Sequence, residues 1–178
     1  MELFWTQITD AQPVFPARTK AHGSAWGVSL LAYAVRAAWG IDLPETAELP
    51  GGKPYFPACP QLHFSVSHTR AAALVAVSDA AVGADVEQVR PLHPAMARRL
   101  AQTDCGDLQP FELWTLRESW FKLTGTGDLR TIPFRRTDGV IIPPEAGTLC
   151  RVYADIPGCV AAVCGHAAGN IRIHAAEC

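Results

Sequence analysis

Net charge is what this 178-residue chain has least of: 15 Lys and Arg stand against 17 Asp and Glu, a formal balance of −2. That balance argues against the basic footprint of a nucleic-acid binder and against an acidic, solvating protein. The basic residues are scattered, apart from the small pairs Arg98, Arg99 and Arg135, Arg136. The six cysteines (Cys59, Cys105, Cys150, Cys159, Cys164, Cys178) contain no CxxC spacing and no histidine cluster at zinc-finger spacing. Buried free thiols in a reducing compartment are therefore expected. The opening MELFWTQITDAQ lacks a basic segment leading into an apolar run, so no signal peptide is expected. Long apolar runs are missing too; residues 71–77, AAALVAV, are far too short to cross a bilayer. The expectation is a soluble, cytoplasmic protein with neither membrane nor nucleic acid as partner.

What is present is a globular composition, 49% hydrophobic and 18% charged, long enough for a sizeable core in one domain or two small lobes. Residues 24–39 carry Trp26, Leu30, Tyr33 or Ala34, and Ala37 or Ala38 at helical spacing, with Ser24 as N-cap and Gly40 as C-cap. A Pro- and Gly-rich link, LPETAELPGGKPYFPACP, follows. QLHFSVSHT then alternates, with Leu62, Phe64 and Val66 on one face and His63, Ser65 and Ser67 on the other, as in a half-buried strand. AAALVAVS and VGADVEQV read as two more strands, and the short connections predict an antiparallel meander. Helices are expected over 94–104 and over 110–124, the second opened by Pro110 and closed by Gly125. Short strands joined by turns follow.

The two halves echo each other, AALVAVSDAAVG matching GCVAAVCGHAAG. A repeat of this kind implies two like lobes about a pseudo-two-fold, residues 1–92 and 93–178, with a site between them. The second copy has Ile171 and Ile173 where the first has Asp85 and Glu87, so the fold itself does not demand the two charges.

Those charges need a reason. Asp85 and Glu87 share one face of a strand, roughly 6–7 Å apart, where like charges repel and resist desolvation. On the helix 110–124, Leu113, Leu116, Trp120 and Leu123 line one face, and Glu118 and Lys122 lie on roughly the opposite side, flanked by Trp114 and Phe121. Taken alone, Glu118 and Lys122 would be a solvated i,i+4 pair worth about 0.2–0.5 kcal/mol. The flanking aromatics suggest that this side is covered as well. Asp85, Glu87 and Glu118 together suit a hard divalent cation such as Mg2+, and Lys122 would then neutralise a phosphate. Ser67, His68, Thr69 and Arg70 supply further donors in a turn, where ordinary turn chemistry would also explain them.

GKPYFP, HFSVSHT, VGADVEQV and WTLRESWFKLTG, in this order and spacing, resemble the Sfp-type 4'-phosphopantetheinyl transferases over about residues 51–125. The resemblance implies an α+β fold of two similar lobes with antiparallel strands. It implies an enzyme that moves 4'-phosphopantetheine from coenzyme A to a serine of an apo acyl, peptidyl or aryl carrier protein. By the family's pattern Asp85, Glu87 and Glu118 bind Mg2+, with Mn2+ as a substitute, on the pyrophosphate of coenzyme A. Lys122 contacts the phosphates, Ser67 and His68 hold the 3'-phosphate, and Lys53 and Pro54 lie by the adenine. Glu118 is also the family's base for the carrier serine, and Glu118 and Lys122 are the catalytic pair. Arg18 and Lys20 are the basic residues available to the 3'-phosphate near the first helix, with Gly23 near where an arginine is expected. The family's F-x-x-x-E segment is absent, and the chain is short for a two-lobed member. The expected state is a monomer, and the two-lobed pattern points by analogy to secondary metabolism. A coenzyme A-binding module without transfer activity, a metal-dependent phosphohydrolase, and an interaction protein with solvated charges are the alternatives.

Overall fold

The computed structural model describes residues 1–11, 22–101, 104–166 and 170–176, with backbone alone at 22–23 and 99–101. In chain order the elements are β1 (Glu2–Gln7), α1 (His22–Trp39), β2 (Ala47–Glu48), β3 (Pro54–Tyr55), β4 (His63–His68), β5 (Ala72–Ser78) and β6 (Val82–Gln88). Then come α2 (Pro94–Ala101), α3 (Pro110–Thr124), β7 (Arg135–Thr137), β8 (Val140–Ile142), β9 (Leu149–Tyr153), β10 (Cys159–Gly165) and β11 (Arg172–Ala175). The fold is α+β with mainly antiparallel sheets, in order β11-β1-β5-β4 and β6-β10-β9, plus the hairpins β2-β3 and β7-β8.

Three apolar clusters stack these parts into four layers. Phe4, Phe64, Ala73, Val75 and Val77 of the larger sheet pack under Trp26, Leu30, Leu31 and Val35 of α1. Leu3, Leu74 and Ala76 meet Val82, Ala84, Val86, Ala161 and Val163 between the two sheets. Ala162 and Cys164 of the smaller sheet lie under Leu113, Leu116, Trp120 and Leu123 of α3. Strand β5 is buried along its whole length, which is why its sequence is continuously apolar rather than alternating.

Local chemistry sets α3. Pro110 fills its first position, where the missing N–H costs nothing. Glu112 accepts from the Gln109 N–H at 2.7 Å, and Gly125, at φ 70°, closes the last turn through its N–H to Phe121 O. Arg136 of β7 ties this helix start down, donating to both Glu112 oxygens at 2.8 and 2.9 Å.

Several expectations change. Helix α1 begins at His22, so Ser24 lies inside its first turn and is not the N-cap. Helix α2 is described over Pro94–Ala101 and does not include residue 104; residues 102 and 103 lie outside the described residues. The meander stops after two strands: β4 and β5 pair antiparallel, but β6 pairs with β10, Asp85 standing opposite Ala162. The last strand crosses the other way, β11 pairing with β1 in parallel. The repeat also loses register there. Ile171 and Ile173 face the core between the sheets, whereas Asp85 and Glu87 lie on the other side of β6 from Val82, Ala84 and Val86. The isoleucines are therefore not the counterparts of the carboxylates.

Candidate functional site

The site begins with a glycine. Gly83, Asp85 and Glu87 share the face of β6 opposite the inter-sheet core. A Cβ on Gly83 would run into Ser119 O and Leu123 N of α3. The helix backbone thus crosses directly over Gly83, which brings Glu118 and Lys122 down beside Asp85 and Glu87. Ser119 fixes the crossing from the other side, donating to Ala162 O at 2.9 Å.

The free edge of β6 is closed by side chains instead of a strand. Ser65 Oγ accepts from Ala84 N–H at 2.9 Å and donates to Ala84 O at 3.4 Å. Lys53 Nζ donates to Val82 O and to Leu123 O, each at 3.2 Å. The second carbonyl ends α3, where a cation meets the negative end of the helix dipole. Burial pulls the Lys53 ammonium below its usual pKa. The polar face of β4 is therefore not solvated, as its alternation suggested; Ser65 and Ser67 are buried against β6.

Asp85 is 5% exposed. Its Oδ1 accepts from Ser67 Oγ and from Lys122 Nζ, both at 2.7 Å. Its Oδ2 is buried and has no hydrogen-bond partner among the described residues. Glu87 Oε1 accepts from Trp114 Nε1 at 3.2 Å. Burial first, and the Asp85 charge second, push both Glu87 and Glu118 above the usual carboxylate value of 4.5. The Lys122 charge pulls both back.

These shifts have a readable sign. A carboxylate raised on folding binds protons more readily in the folded chain, so the folded state gains as pH falls toward 4.5 and loses that gain as pH rises through the raised values. Glu118→Gln is expected to raise the metal-free melting midpoint at neutral pH and to flatten its fall above pH 4.5. Calorimetric scans of both proteins across that window check it; a variant that is less stable at neutral pH but equal near pH 4.5 would contradict the sign.

Of the residues expected from the sequence, Ser67, Asp85 and Lys122 are joined by hydrogen bonds, and Glu87 and Glu118 lie within electrostatic reach of them. Lys53, Pro54 and Lys122 line one cavity of about 220 Å3 with Gly51, Phe64 and Phe121. His68 is exposed, and its Nε2 lies 3.5 Å from Ser24 Oγ. Arg18 and Lys20 lie outside the described residues. Sequence reasoning assigned no role to Ser65 or Ser119, and it used Trp114 only as a flanking aromatic. The period-two serines of HFSVSHT carried the signal for Ser65.

Among the described residues no three His, Cys, Asp or Glu side chains already form a metal-holding group. The reason is visible at Asp85 and Glu87, whose oxygens are held by Lys122, Ser67 and Trp114. The donor chemistry nevertheless fits a hard cation: Asp85 keeps one buried oxygen without a partner, and Glu87 and Glu118 lie close enough to be raised by its charge.

Residues of this chain align at 32% identity over 127 positions with a 4'-phosphopantetheinyl transferase of Bacillus subtilis, covering 64% of the chain and 56% of that relative. A second match is the 4'-phosphopantetheinyl transferase psf-1 of Bacillus pumilus, 39% identical over 87 residues, 43% of the chain and 37% of the relative. The chain is therefore similar to 4'-phosphopantetheinyl transferases. The transferase Sfp of Bacillus subtilis strain 168 is 28% identical over 132 residues, 64% of the chain and 59% of its own length. The aligned part thus spans little more than half of these transferases at most. No family model matches the chain.

Proposed function

We propose that this chain transfers 4'-phosphopantetheine from coenzyme A to a serine of an apo acyl, peptidyl or aryl carrier protein. The observation that carries the reading is Asp85, buried, with one oxygen on Lys122 and Ser67 and the other unpartnered, beside two carboxylates of raised pKa. Asp85, Glu87 and Glu118 would hold Mg2+, or Mn2+ in its place. Such an ion would offset charge on the pyrophosphate whose P–O–P bond breaks as the serine oxygen bonds the pantetheine-side phosphorus, with adenosine 3',5'-bisphosphate as the leaving group. Lys122, released from Asp85, stabilises negative charge developing on the phosphates. Glu118 is proposed to take the proton from the carrier serine, directly or through a water. Ser67 and His68 are proposed for the 3'-phosphate, with Arg18 and Lys20 as further cations. The cavity lined by Lys53 and Pro54 is proposed for the adenine. Residues 1–92 and 93–178 are proposed as two lobes meeting at the coenzyme A site, and the working unit as a monomer.

Titration calorimetry tests the ligand set. Mg2+ is expected to bind more tightly with coenzyme A present than without it, because the pyrophosphate completes the coordination. Glu87→Gln is expected to weaken Mg2+ on the order of tenfold or more by removing one carboxylate charge. Equal Mg2+ affinity in the wild type and Glu87→Gln would contradict the set.

A further inference from the structure

Beneath α3 lies a pair of groups that the proposed transfer does not use. Cys164 on β10 stands in register with Cys150 on β9. Their sulfurs lie 2.6 Å apart. Both are buried, in one cluster with Leu113, Leu116 and Ala162. Cys164 Sγ also donates weakly to Leu116 O, at 4.0 Å. Burial and the adjoining Cys150 thiol push the Cys164 thiol well above its usual pKa, so in the closed fold it stays neutral and slow to react.

We propose that Cys150 and Cys164 are a redox-modification site that closes into a cross-strand disulfide under the helix carrying Glu118 and Lys122. Access comes through β9, an edge strand of only five residues paired with β10, which can part without opening the rest of the core. The oxidant class is a low-molecular-weight disulfide such as oxidised glutathione. The Cys150 thiolate attacks one glutathione sulfur and expels the other glutathione as a thiolate, which takes up a proton. The Cys164 thiolate then attacks the Cys150 sulfur of the mixed disulfide and expels the second glutathione. One protein S–S bond forms, two thiol protons leave with two reduced glutathiones, and the electron pair passes to the oxidant. Cys59 and Cys105 are half-buried free thiols, and Cys159 faces Gln88 across its strand pair.

The test is to incubate or refold the full chain with oxidised glutathione, alkylate it under denaturing conditions, and map its peptides without reduction. The expected result is a cross-link joining Cys150 to Cys164, reversed by dithiothreitol, and a melting midpoint higher by roughly 5–10 °C. Cys150→Ala is expected to lose both. A stable glutathione adduct at Cys150, a cross-link between other cysteines, or two free thiols after refolding in the oxidant would overturn the proposal. The wild-type peptide map decides even if the variant does not fold. The outcome is independent of whether the chain transfers phosphopantetheine.

Discussion

Asp85→Ala is expected to lower Mg2+-dependent transfer by at least on the order of 10²-fold while leaving the chain folded. Asp85 lies on the face of β6 away from the inter-sheet core, and its hydrogen-bond partners are Ser67 and Lys122. Removing it frees Lys122, which is partly exposed and can turn to water, and leaves Ser67 as a hydroxyl able to find a new partner. Breaking a buried ion pair is severe when the survivor is buried and unpaired; here the survivor is not sealed in. Glu118→Ala is expected to lose transfer to the same degree, and it also relieves repulsion with Asp85 and Glu87. Activity assays with circular dichroism on the same preparations check both. Near wild-type transfer in either variant would remove the carboxylates from the chemistry.

Gly83→Ala is expected to damage both stability and function, although Gly83 contacts no substrate. Its added methyl meets helix backbone, at Ser119 O, Leu123 N and, at 2.9 Å, Lys122 C. Backbone cannot rotate away as a side-chain tip can, so α3 must lift from β6. Overpacking of this kind costs about 1–3 kcal/mol and occasionally more. The lift separates Lys122 and Glu118 from Asp85. Gly51→Ala is the control for stability alone, since a Cβ there meets nothing within 4 Å while Gly51 lines the cavity proposed for the adenine. Urea unfolding of both variants, with the transfer rate of Gly83→Ala set against wild type, is the measurement; a Gly83→Ala chain as stable as Gly51→Ala and as active as wild type would contradict the close crossing.

Much of the local structure was legible in the sequence. The bounds of α3 follow from Pro110, Gly125 and a regular apolar face, and the cores of β4, β5 and β6 follow from their patterns and turns. Spacing made the pairs Asp85 with Glu87 and Glu118 with Lys122 legible, and the family resemblance implied that the two pairs share a site. What was hidden is long-range. Nothing local in VGADVEQV reveals that it pairs with Cys159–Gly165, because both are apolar strands that would suit several neighbours. For the same reason the serines of β4 looked solvated until β6 was found against them. Lys53 read as a ligand contact, and its bonds to Val82 O and Leu123 O add a clamp between β6 and α3. The echo of the two halves fails in register at β11, where a single-residue change of face is enough to move a side chain from one layer to another.

The most direct measurement is the mass of an apo carrier protein after incubation with this chain, coenzyme A and Mg2+, beside a reaction with the metal chelated. A gain of one phosphopantetheine on a carrier serine, lost on chelation and lost with Asp85→Ala, is the expected result. An unchanged carrier mass, with coenzyme A still bound by calorimetry or with phosphate released in the carrier's absence, would contradict transfer and favour a binding module or a phosphohydrolase.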